Sequence, residues 1–201
     1  MKKIIFLIIT ICFFSCSSDS NESKILNDFK GNYQVTDIET DIEFDLNNDG
    51  ITSKNMLLEI TSPHTTPNGI IPDFHFKPEN SWNLVEASPY IDSQNQAQLV
   101  SFNFPEQDLA FLNEDPNKPV LLFSGYSGKF NTYGYAFASQ NEINLIDYNS
   151  EYTAQFGKID KLVRIDKMSF KLYLTKKIYD FKAKQWKNAN VIATYKKIQN
   201  L

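Results

Sequence analysis

From Phe29 onward the chain alternates apolar and polar residues with a period of two, the spacing that sends successive side chains to opposite faces of a β-strand. In "TDIETDIEFDL", Ile38, Ile42, Phe44 and Leu46 occupy even positions, while Asp37, Glu39, Asp41, Glu43 and Asp45 occupy odd ones. The even set is predicted to face a core. Further strands are predicted over residues 70–76, 98–104, 119–123, 130–138, 142–148, 158–165, 169–179 and 191–198, separated by turn-rich pieces such as Ser139-Gln140-Asn141. About eight to ten short antiparallel strands with little helix predict an all-β fold, a barrel or alternatively a β-sandwich. One short helix is predicted over Ser53 to Glu59, with Ser53 as its N-cap. The core is predicted to include Ile38, Ile42, Phe44, Phe170, Leu172, Leu174 and Tyr195, each flanked by polar or charged neighbours.

Pro63, Pro67, Pro72 and Pro78 confine any strand among residues 61–80 to a sheet edge, because proline donates nothing to a ladder. No internal repeat or second domain boundary interrupts the pattern.

The first residues have a different character. Lys2 and Lys3 precede an apolar run from Ile4 to Phe14, and Ser15 and Cys16 follow it. This order is that of an export signal. A membrane-spanning helix needs about 20 apolar residues, and the run is shorter. Phe13-Phe14-Ser15-Cys16 resembles a lipobox, which implies cleavage before Cys16 and a lipid on its thiol. Residues 1–15 are then a lipoprotein signal peptide. Cys12 leaves with it, Cys16 is acylated, and the mature chain holds no disulfide. Residues 16–28, beginning "CSSDSNES", are polar and acidic without apolar periodicity and are expected to form a flexible tether, leaving 29–201 as the β domain. The early acid Asp19 resembles the acidic surface-export tags of Bacteroidota lipoproteins.

Charge divides along the chain: residues 16–157 hold six Lys against twenty-one Asp or Glu, and residues 158–201 hold twelve Lys or Arg against three Asp. The simplest expectation is that lysines of the last strands pair with acids of the first across a closed barrel. The alternative is a basic face lying on lipid phosphate or anionic glycan. Overall acidity and an envelope compartment exclude nucleic acid as a partner.

Little in the inventory suggests catalysis. His64 sits in a proline-rich loop, and His75 in "DFHFK" reads as a polar strand edge. "SGYSGK" around Ser127 has neither nucleophile-elbow nor phosphate-loop spacing. No catalytic residue is assigned, and a hydrolase is kept only as a remote alternative. Tyr133, Tyr135 and Phe137 line one side of a strand and are expected in the core, while Trp82 and Trp186 lie in turn-like surroundings.

"GNYQVTDIE", "DLNNDGITSKNMLLEI", "KMSFKLYLTKKIYDF" and "ANVIATYKKI" together resemble the lipocalin-like lipoproteins of Bacteroidota. The resemblance spans most of the mature chain. It implies an antiparallel barrel of eight or a similar number of strands around a ligand cavity, lipid-anchored in the outer membrane on the periplasmic face or at the cell surface. It implies no specific activity.

One segment points to an ion. Asp45-x-Asn47-x-Asp49-Gly50 opens like a calcium loop, in which ligands fall at positions 1, 3, 5, 7, 9 and 12. The set here is Asp45, Asn47, Asp49, the Ile51 carbonyl and Ser53, but Met56 at position 12 cannot bind a hard cation. Asn55 and Glu59, one helical turn apart, are the candidate substitutes. The acids repeating from Asp37 to Asp45 supply a further reason for a cation. The alternative is a polar Asx turn capped by Ser53 that needs no metal.

Two function classes follow. One is a non-enzymatic envelope binding module for a small ligand, glycan or partner protein, with a structural calcium site. The other is a structural or assembly accessory with no ligand cavity. A cavity of at least ~300 Å³ with convergent polar groups favours the first, and a filled interior beside an exposed apolar patch favours the second.

Overall fold

The computed structural model describes residues 25, 28–61, 64–66, 69–71, 85–89, 98–102, 105–115, 118–126, 131–147 and 157–198. Cys16 and the signal peptide, most of the tether, His75, Trp82 and Ser127 lie outside the described residues. The strands in chain order are β1 (Gly31–Phe44), β2 (Ser53–Asn55), β3 (His64–Thr66), β4 (Gly69–Ile71), β5 (Val85–Pro89), β6 (Gln98–Phe102), β7 (Pro105–Phe111), β8 (Pro119–Tyr126), β9 (Asn131–Phe137), β10 (Glu142–Asp147), β11 (Lys158–Arg164), β12 (Ser169–Asp180) and β13 (Gln185–Lys197). Helix α1 (Met56–Thr61) follows β2.

Eight strands pair in the order β13-β12-β11-β10-β9-β6-β5-β1, and β1 pairs back onto β13. Every one of these pairings is antiparallel. The ring closure makes the fold barrel-like and sets the sandwich aside. Strand β2 adds to β1, while β3–β4 and β7–β8 form two separate two-stranded sheets.

Long alternating strands carry the ring. β12 pairs with β13 over twelve residues, from Ser169↔Lys196 to Asp180↔Gln185, and turns Phe170, Leu172, Leu174 and Ile178 inward. β13 answers with Ala189, Val191, Ala193 and Tyr195. Aromatic rings fill much of the interior. Phe170 and Tyr195 stack at 4.9 Å with 13° between their planes, and Phe29 meets Tyr135, Phe137 and Phe170 edge-on. Tyr133, Tyr135 and Phe137 therefore sit inside, as expected, with Phe137 half-buried. Burying each such side chain contributes roughly 1.5–3 kcal/mol.

Strand β1 departs from simple alternation twice. Its register to β13 slips between Val35↔Tyr195 and Asp37↔Thr194, leaving Thr36 as an extra residue. This bulge shifts the inward phase from odd positions, Tyr33 and Val35, to even ones, Ile38, Thr40 and Phe44. The second departure corrects the prediction for Ile42, which is 38% exposed and not in the core. The ladder with β13 ends at Thr40, pairing with β2 is irregular between Glu39 and Phe44, and Thr40 Oγ1 lies within hydrogen-bond distance of the Ile42 and Lys54 carbonyls. Those contacts turn Ile42 outward.

Other expectations are corrected locally. The helix begins at Met56, not Ser53, because Ser53 to Asn55 pair with β1. Trp186 is the second residue of β13, packed edge-on against Tyr179 at 5.4 Å, and is not in a turn. Asp28, assigned to the tether, is helical and held by the domain: its carboxylate meets Arg164 at 3.6 Å and its carbonyl accepts from Lys197 Nζ at 2.8 Å. The predicted lysine-to-acid pairing of β13 with β1 is absent among the described residues. Asp37 and Glu39 face Thr194 and Ile192, and Asp41 takes both the N–H and the amide of Asn190.

The ring has two rims. One gathers the start of β1, the end of β13, and the turns at 138–141 and 165–168, which are linked by the Arg164 N–H on the Asn141 carbonyl. The other gathers the β12–β13 hairpin turn and the 45–52 loop, linked by the Phe181 N–H on the Asp45 carbonyl at 3.0 Å.

Candidate metal centre

The acidic loop lies on this second rim. Its backbone is shaped by its own short polar side chains. Asn48 and Gly50 have positive φ, 62° and 84°, the region that Asn and Gly tolerate best. Asp45 Oδ1 and Oδ2 accept the Asp49 and Gly50 N–H groups at 3.2 and 3.0 Å. Asn47 Oδ1 accepts the Asp49 N–H at 3.1 Å, and Asp49 Oδ1 accepts that of Ile51 at 2.8 Å. The loop thus curls around its carboxylates.

Helix α1 brings the missing carboxylate. Glu59 is buried, and its Oε2 accepts the Leu46 N–H at 3.1 Å. One oxygen from each of Asp45, Asp49 and Glu59 lies within 4.8 Å of the other two. Calcium binds oxygens at about 2.3–2.6 Å, so ligand atoms on one ion lie at most ~5 Å apart. The triad fits that limit. With carboxylates and no sulfur or imidazole, the donor set suits a hard divalent cation.

The electrostatics describe a site short of positive charge. Burial pushes the Glu59 carboxyl up to about 7; the Leu46 N–H opposes this, while Asp49, Asp45 and Asp180 add to it. Burial raises Asp45 as well, against the N–H groups of Gly50, Asn48 and Asp49. A divalent cation would stabilise all three charges together.

Of the sequence-predicted ligands, Asp45, Asp49 and Glu59 converge, and Asn47 is buried beside them with its amide donating to Asp49 Oδ2 at 3.2 Å. Ile51 is on the loop with its side chain exposed. Ser53 and Asn55 are corrected to other roles. Asn55 is the N-cap of α1, its Oδ1 accepting the Leu58 N–H at 2.8 Å, and Ser53 Oγ accepts the Asn55 N–H at 3.0 Å. Asp41 and Glu43 likewise point outward, Glu43 accepting the Thr52 hydroxyl at 3.0 Å. Repulsion along β1 therefore gives no reason for a cation at this loop.

Sequence reasoning missed Asp180. It ends β12 in the inward phase and is buried. Burial raises its carboxyl, but the Lys187 ammonium, the Ala183 N–H and the Asp45 N–H outweigh this and hold it below the usual range. An acid at an inward position of an alternating strand was the available signal.

Next to the loop, Asp41, Ile42, Glu43, Thr52, Lys54, Asp180, Lys182, Ala183 and Lys187 line an open cleft of about 590 Å³. Three carboxylates and three ammonium groups border it. Thr52 and Asp180 belong to both cleft and loop surroundings, so the loop's conformation shapes the cleft wall.

No protein-family model, curated protein or solved structure matches the chain.

Proposed function

We propose that this is a lipid-anchored, non-enzymatic binding module of the cell envelope, held at the outer membrane through Cys16. In this reading calcium binds Asp45, Asp49 and Glu59 as a structural ion and sets the wall of a cleft that takes a small polar ligand or a glycan. The cleft carries the reading. Its volume lies within the ~300–1,000 Å³ of small-molecule sites, and its groups of both signs converge beside the acidic loop. The lipocalin-like resemblance supports a binding role, although the cleft lies on the rim and not inside the ring.

A specific observation favours the second class. Phe29, Tyr33, Phe102, Phe170 and Tyr195 crowd the interior, as in a structural accessory whose barrel only presents a surface.

Screening the acylated protein on a glycan array decides between them, using about 2 mM calcium, chosen to exceed the ~10⁻⁴–10⁻³ M dissociation constants of extracellular modules, or chelator. Calcium-dependent retention that disappears in a Lys54→Ala, Lys182→Ala double variant supports the module. Absence of retention, or retention unchanged by both treatments, favours the accessory. For the anchor, Cys16→Ser should release soluble protein, and a variant still on membranes after a high-salt wash would exclude the lipid.

A further inference from the structure

We propose that the rim holding the start of β1 and the end of β13 rests on the bilayer, its occupant the headgroup layer of the anionic membrane that anchors the tether. The inference rests on the lipid-anchor reading and adds an orientation to it.

Three observations carry it. First, this rim has an exposed apolar trio: Ile165 at 48%, Met168 at 37% and Ile198 at 38% exposure. The backbone draws them together. The Met168 carbonyl accepts the Lys197 N–H at 2.6 Å, the Ile198 N–H bonds to the Asn32 carbonyl at 2.8 Å, and the Ile165 N–H to that of Ser169 at 2.9 Å.

Second, the charge around the trio is mainly positive. Lys30, Lys167 and Lys196 are exposed and Lys171 is half-exposed, while Arg164 and Lys197 turn onto Asp28. The opposing acids among the described residues of this rim are Asp28, Asp166 and Glu142, with Asp37 at the level of Lys171, both flanking Thr194. Asp166 also caps its own turn, accepting the Met168 N–H and the Ser169 hydroxyl. Isoleucine and methionine beside lysine suit the boundary between phosphates and acyl chains.

Third, the tether leaves from this rim. Residues 17–27 separate Cys16 from Asp28, and a chain of that length reaches at most about 40 Å. β1 has fourteen residues and, at ~3.3 Å each, is about 45 Å long. A link that joins the domain at this rim, and reaches less far than β1 is long, holds this end of the domain toward the membrane. The acidic loop and its cleft then face away, toward solvent and ligand.

The test reconstitutes the full acylated protein into vesicles of phosphatidylglycerol and phosphatidylcholine. A fluorophore is attached through Gln140→Cys, in the near-rim turn but outside the trio and the lysines, or through Lys182→Cys in the far hairpin. Quenching by brominated lipid is then read. The orientation requires at least several-fold stronger quenching at the first position, falling in a Lys30→Glu, Lys196→Glu variant and in about 1 M salt, where the Debye length is ~3 Å. Protein that floats with the vesicles but is quenched equally at both positions, or at neither, overturns the orientation and leaves the anchor intact. Protein that does not float overturns the anchor and the orientation with it.

Discussion

Glu59 Oε2 accepts the Leu46 N–H at 3.1 Å, so helix α1 and the loop after β1 are joined through a buried carboxylate. In the protein without an ion, burial pushes this carboxyl from its ordinary 4.5 up to about 7. Over that window the folded state binds more protons than the unfolded state, and stability therefore falls as pH rises. The chelated domain should lose about 1–3 kcal/mol between pH 4.5 and 7.5. Glu59→Gln should flatten that slope. Urea titrations across the range, in chelator, check it, and a rising stability would contradict the burial argument.

Calcium should raise the thermal midpoint. At about 2 mM, mass action on a site of ~10⁻⁴–10⁻³ M contributes roughly 1–2 kcal/mol, or about 2–8 °C for a domain of this size. Asp49→Ala should abolish the rise. A midpoint indifferent to calcium in the unaltered protein would rule the site out, and so would a full response in the variant.

Asn55 distinguishes a cap from a ligand. Asn55→Ala removes the bond to the Leu58 N–H and should cost about 1 kcal/mol, within the 0.5–2 kcal/mol of N-cap losses. The calcium-induced rise should persist. Its disappearance would make Asn55 a ligand after all.

The bulges of β1 make neighbouring isoleucines unequal. Ile38→Ala and Leu172→Ala each empty a fully buried position and should cost roughly 2–5 kcal/mol. Ile42→Ser, on the cleft surface, should stay within about 0.5 kcal/mol. Denaturant midpoints of the three variants suffice, and a large loss at Ile42 would restore the unbroken alternation.

Period two made β12 readable, because both of its faces keep one phase for its whole length. The predicted segment from Ser169 to Tyr179 matches the observed Ser169–Asp180 almost residue for residue. β5 was not readable: "VEASP" offers one bulky apolar residue and a proline, and it is a strand because β1 and β6 hold it from both sides. β1 was readable as a strand but not as a face, since a bulge is a mismatch between two strands and belongs to neither sequence alone.

The loop divides the same way. Asp45, Asn47, Asp49 and Gly50 are close in sequence, and their turn chemistry is local, so the chain itself determined that a polar curl stands between β1 and β2. The short distance to α1 also put Glu59 within reach. Which of Asn55 and Glu59 turns inward was settled by the helix start: pairing of β2 with β1 moves it to Met56, which makes Asn55 the cap and leaves Glu59 on the buried face. Asp180 and the cleft required the closed ring, because only the β12–β13 hairpin folding back onto the end of β1 brings charges from opposite ends of the chain to one rim.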